Sequence, residues 1–113
     1  MILATAVGSL TLDELRDFLR TARTGEHRSW PLLFDASAAS TEITAGQIGG
    51  LASDVGGMVR REGPRAPVAM VASNPALFGV MRMYQALCET EGFDAICVAR
   101  TRAEAELWLA GRR

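Results

Sequence analysis

The sequence predicts an α/β domain with a mainly parallel four-stranded sheet, built from four successive strand-helix units. Three observations carry that prediction. Short apolar runs alternate four times with amphipathic stretches. One run, residues 68–72, lacks polar alternation altogether, as suits a strand covered on both faces. A helix-start signal follows each run closely, the order that favours parallel strands joined by right-handed crossovers.

Residues 2–7 read as the first strand, followed by Gly8. Thr11 and Glu14 then form a capping box, and Leu10 with Leu15 a hydrophobic staple, so a helix starts here. Leu12, Leu15, Phe18, Leu19 and Ala22 make its inward stripe. The helix is expected to end near residues 23–25, in a polar loop that carries His27. Local spacing places no carboxylate or nucleophile beside His27, which therefore reads as a solvated surface histidine.

Trp30 and Pro31 introduce the second strand, residues 32–34, which is expected to end at Asp35. Residues 35–44 then read as a loop at the carboxyl end of that strand, the edge at which open α/β sheets tend to bind ligands. The loop holds the densest group of hydroxyls in the chain, Ser37, Ser40, Thr41 and Thr44. A structural role accounts for them: Asp35 and Ser37 hold turn amides, and Thr44 caps the next helix.

Ile43 with Ile48 and Thr44 with Gln47 repeat the staple and box at the second helix. Ile48, Leu51, Ala52, Val55 and Val59 form its apolar face. Gly46, Gly49, Gly50, Gly56 and Gly57 weaken it by up to ~1 kcal/mol each if they lie in the helix interior. Two glycine pairs recur seven residues apart and share nearly one face, which permits close approach of another element or a second subunit. Residues 60–65 read as a charged turn.

The run at 68–72 is the central strand. Asn74 supplies a cap for the third helix and Pro75 its first residue, where a missing N–H costs nothing. Leu77, Met81, Tyr84 and Cys88, with Val80 and Leu87, form the buried stripe, and Gly92 ends the helix. Residues 93–99 make the last strand. Thr101 and Glu104 form a third capping box, with Ala105, Trp108 and Leu109 facing inward.

Composition narrows the function classes. The 113 residues form one domain, residues 1–113, large enough for a core without metal or disulfide support. A net charge of −1 and a pI near 5.8 leave no electrostatic footprint for nucleic acid. No apolar run approaches the ~20 residues that span a bilayer, and no signal-peptide pattern opens the chain, so a cytoplasmic location is expected. All 12 basic residues are arginine, which removes Schiff-base lysine chemistry and a P-loop lysine. The GQIGG stretch lacks a dinucleotide fingerprint. Cys88 and Cys97 read as buried reduced thiols, and with one histidine they make no metal site. No cofactor is implied.

Four stretches carry a family resemblance: LTLDEL at 10–15, the strand ending in Phe34-Asp35, VAMVASNPALFGVMRMYQAL at 68–87, and RTRAEAELWL at 100–109. Together they resemble the SpoIIAA-like fold of STAS and Sec14-type domains, in particular a group of uncharacterised bacterial STAS-like proteins. The resemblance implies a regulatory role and a phosphorylated serine at the start of the second helix. Asp35-Ala36-Ser37 matches the strand end of that family and Gly46 its later glycine. Ala45 stands at the phosphoacceptor position and Ile43 replaces the acidic residue, so the phosphoswitch is absent unless a shift of one residue brings in Thr44. The family also places a strand before the first one here, so the sheet is expected to be short at that edge or completed by a partner.

The sequence therefore points to a non-catalytic regulatory or protein-interaction domain that meets a protein partner or a second copy of itself. The surface expected to do so comprises residues 35–44 and the glycine-rich helix, with Asp35, Ser37, Thr41, Thr44, Ser73 and Asn74 as its candidate contact residues. The alternative is a module for a small apolar ligand or lipid, with Met58, Met70, Met81, Met83 and Phe78 around a pocket. An enzyme would need Asp35, Ser73, Asn74 and Arg100 to converge from strand ends. Tyr84 lies on the apolar stripe and Arg82 off it, so that pair reads as core plus solvated flank.

Overall fold

Four parallel strands pair in the order β1-β2-β3-β4, each followed by its helix, in the computed structural model of residues 1–22, 29–63 and 66–112. The elements are β1 (Ile2–Leu10), α1 (Leu12–Ala22), β2 (Leu32–Thr41), α2 (Ala45–Glu62), β3 (Val68–Val71), α3 (Pro75–Thr90), β4 (Ile96–Ala99) and α4 (Arg102–Ala110). His27 and part of the charged turn at 60–65 lie outside the described residues, and α2 runs through Arg60 and Arg61 to Glu62.

Because the strands are added in sequence order, successive crossovers step in one direction and place α1, α2 and α3 on the same face of the sheet. Ile2, Ala4 and Ala6 of β1 face that side, with Leu32, Phe34 and Ala36 of β2, Val68 and Met70 of β3, and Ile96 and Val98 of β4. Among the described residues, one helix covers the opposite face. There α4 sits on Leu33, Ala69, Val71 and Ala99 through Ala105 and Leu109. The alanines on both sides let helix and sheet approach closely.

The caps form where the sequence places them. Thr11 and Glu14 exchange backbone and side-chain hydrogen bonds, as do Thr44 and Gln47, while Asn74 Oδ1 accepts from Leu77 N–H at 3.1 Å. The third box is only half made: Thr101 Oγ1 accepts from Glu104 N–H. At the end of α3, Gly92 takes φ 94°, Gly92 N–H bonds to Glu89 O and Phe93 N–H to Cys88 O. These are the bonds of a Schellman stop, and they explain why Phe93 closes a helix instead of opening β4.

The largest departure concerns residues 35–44. They are not a loop: β2 runs on to Thr41 and pairs with β1 as far as Leu10↔Thr41. β3 and β4 stop level with Asp35, so a two-stranded ribbon extends beyond the rest of the sheet. The pairing shifts between Thr5↔Asp35 and Val7↔Ala38, giving β2 one extra residue, a bulge. Ser37 and Ala38 both point to solvent as a result, and Ala39 returns to the core. Small residues hid this strand, because ASAAST has neither the β-branched content nor the simple alternation that marks one.

Candidate functional site

Asp35 is the buried charged residue among the described ones, and it holds the bulge together. Its Oδ1 accepts from Ser37 N–H at 3.0 Å, which satisfies an amide in the irregular part of the ladder. Arg102, in the first turn of α4, reaches Asp35 Oδ2 at 3.9 Å while its Nε donates to Glu106 Oε1 at 2.7 Å. The carboxylate thus ties the bulge of β2 to the start of α4. The Ser37 hydroxyl, the Ser37 amide and the Arg102 charge hold its pKa below the ordinary carboxylate value, against the upward push of burial.

A pKa lowered by folding stabilises the native state above the unfolded value of 3.8, and the contribution disappears as pH falls through the lower folded value. We expect Asp35→Ala to cost about 1.5–3 kcal/mol, the range for losing hydrogen bonds to a charged group. In urea titrations, the stability gap between the native chain and Asp35→Asn should be constant above about pH 5 and close progressively below it. A gap that widens on acidification would contradict this assignment.

The other predicted contact residues are likewise engaged by the backbone. Thr41 Oγ1 donates to Leu10 O at 2.9 Å and accepts from Ile43 N–H at 3.1 Å, closing the tip of the ribbon. Thr44 and Asn74 cap α2 and α3, and Ser73 Oγ donates to Arg100 O at 3.3 Å. Asp35 and Thr41 are six positions apart along the strand, about 15–20 Å. Asp35 also lies on the α4 face, whereas Thr44 and Asn74 start helices of the other face. The candidate residues therefore do not form one surface. Arg100 is stacked over the Phe78 ring at 4.1 Å.

The methionines do not gather around a pocket. Met70 and Met81 are in the core, Met83 is exposed, and Met58 lines a groove between α1 and α2. Cys88 is buried and Cys97 only half-buried, and no group of three metal-ligating side chains occurs among the described residues. Burial, with the nearby Glu104 charge, raises the Cys97 thiol pKa, which disfavours a reactive thiolate. No described helix is long and apolar enough to cross a membrane.

Two further surfaces lie away from these contact residues. One is the outer side of β1, where Leu3 is 47% and Val7 73% exposed on the face that α4 leaves bare. Its signal was present in the alternation of ILATAV, but only the position of α4 shows that no described element covers the Leu3 side. The other is the α1–α2 groove, rimmed by Arg16, Arg20 and Arg61.

No family model, curated protein or solved structure matches this chain. The resemblance to STAS-like domains thus rests on the sequence motifs alone.

Proposed function

We propose that this chain is a non-catalytic regulatory or protein-interaction domain that works as a homodimer joined through β1. The observation that carries the reading is the bare edge strand itself. β1 has nine residues, pairs on one side with β2, and contains no charged residue and no proline, the usual devices that keep an edge from pairing. Its uncovered face is apolar at Leu3 and Val7.

The pattern is also self-complementary. Leu3 and Val7 are symmetric about Thr5, so an antiparallel pair centred on Thr5 sets Leu3 of one copy against Val7 of the other, twice, on the same face. Such pairing would join two four-stranded sheets into one of eight. At the other edge β4 offers only four residues, a much shorter template. Asp35 is engaged in the bulge, Ser73 with Arg100 O, Asn74 in a cap and Arg100 over the Phe78 ring, which favours a binding role. Ala45 opens α2 and carries no hydroxyl, so a switch by phosphorylation at that position is not available to this chain.

Native mass spectrometry tests the reading directly. The native chain should appear at twice its denatured mass, and Val7→Lys should reduce it to a monomer with an unchanged circular dichroism spectrum. A native chain that stays monomeric at high micromolar concentration, or a Val7→Lys variant that remains dimeric, would overturn it.

A further inference from the structure

We infer that the groove between α1 and α2 is a binding site for a small organic anion, a phosphate or carboxylate carried on an apolar body. The groove has a volume of about 430 Å³, within the range of small-molecule sites. Its floor is apolar, formed by Leu19, Leu51 and Val55, which are buried core residues. Its rim is cationic. Arg16 and Arg20 stand one turn apart on α1 and Arg61 faces them from α2, with Asp54 as the carboxylate among the lining residues. Three guanidinium groups against one carboxylate leave two positive charges in a chain whose net charge is −1.

The pairing inside the groove is incomplete. Arg16 Nε is buried and has no hydrogen-bond partner among the described residues. Its nearest carboxylate oxygen, Asp54 Oδ2, is 3.9 Å away, too far for a hydrogen bond. Arg20 and Arg61 have no ion-pair partner among the described residues, whereas the adjacent Arg60 is held by Glu91. An anionic oxygen between Arg16 and Arg61 would satisfy a donor that the fold leaves open, and a guanidinium fork suits both carboxylate and phosphate.

Small side chains keep the α2 wall low. Ser53 and Gly57 line the groove, and a Cβ at Gly57 would lie 3.2 Å from Arg61 Nη1, so glycine gives that guanidinium its room. This accounts for one of the helix-two glycines by a ligand site instead of a subunit contact. The apolar floor beside the cationic rim selects an anion with an apolar body over a bare inorganic ion.

The test uses phenyl phosphate and hexanoate as anionic probes, with inorganic phosphate and benzyl alcohol as controls, titrated into the isotopically labelled native chain and followed by amide chemical shifts. At least one anionic probe should shift the amides of Arg16, Arg20, Asp54 and Arg61. It should bind more tightly than either control, and which probe succeeds tells phosphate from carboxylate. The double substitution Arg20→Gln and Arg61→Gln should weaken that binding by about tenfold or more, as expected on losing two charge-assisted contacts. The inference fails if neither anion shifts groove amides, if benzyl alcohol binds as well, or if the double variant binds unchanged. Should that variant not fold, the shift map of the native chain decides alone: perturbation elsewhere overturns the site. The dimer assay on Val7→Lys reads β1 only, so the two ideas stand or fall separately.

Discussion

Replacing Leu109 with alanine should free α4 from the sheet and cost about 2–5 kcal/mol, the range for deleting a buried leucine side chain. Leu109 is 3% exposed and is the large aliphatic anchor of a helix whose other buried residue is Ala105. Opposite it, Leu33 is the one large side chain among Ala69, Val71 and Ala99. An alanine-rich contact has few atoms to spare, so the cavity would remove much of what holds the helix down. A helix of nine residues is marginal by itself in water, and once undocked it should unfold. Arg102 would then leave Asp35, and Leu33 and Val71 would join Leu3 and Val7 in one exposed apolar face. Hydrogen exchange is the decisive measurement: amides of α4 should lose protection far more than those of α3. Equal protection in both helices, with a stability change under about 1 kcal/mol, would show that α4 is held by something else.

Gly56→Val is expected to destabilise by about 1–3 kcal/mol, the usual cost of overpacking. A Cβ at Gly56 would stand 2.5 Å from Glu91 Oε2, 2.7 Å from Glu91 Cβ and 2.8 Å from its Cγ. The carboxylate end could swing aside, but Glu91 Cβ cannot, because the Glu91 amide is bonded to Leu87 O and Cys88 O at the end of α3. α2 and α3 would have to separate, and the Arg60–Glu91 ion pair would go with them. A Cβ at Gly49 or Gly50 would meet nothing within 4 Å. Alanine there should stabilise the isolated chain by up to about 1 kcal/mol each through helix propensity. Thermal or urea denaturation of the three single variants reads the contrast, and loss of stability at position 49 or 50 would reveal a cover on that face. The glycines therefore divide by role, although their spacing made them look alike.

Much of the architecture was legible because it is written in local chemistry. The boxes at Thr11 and Thr44, the Asn74-Pro75 start and the Gly92 stop use bonds among neighbours a few residues apart, which any chain with those residues can make. The buried stripes were equally plain. Leu15 with Leu19, Ile48 with Leu51 and Val55, and Leu77 with Met81 and Tyr84 follow the helical period, and all are buried. Residues 35–41 were not legible, since their strand character comes from pairing with β1, about thirty residues away in sequence. The same holds for Phe93, which is consumed by a helix stop so that β4 begins only at Ile96. For the contact residues, side-chain type revealed their hydrogen-bonding capacity but not that Leu10 O, Ser37 N–H and Arg100 O would use it.

The sequence by itself determined the alternation of four strands with four helices, their caps, and which side of each helix is apolar, because periodicity and capping depend on residues within one or two turns. Only the tertiary structure decided that three helices share one face and α4 lies alone on the other, since that follows from strand order. From that single asymmetry come the bare side of β1 at Leu3 and Val7 and the carboxylate tie between Asp35 and Arg102. The cationic groove is decided there too: the spacing of Arg16 and Arg20 is local, but the approach of Arg61 depends on how two helices pack.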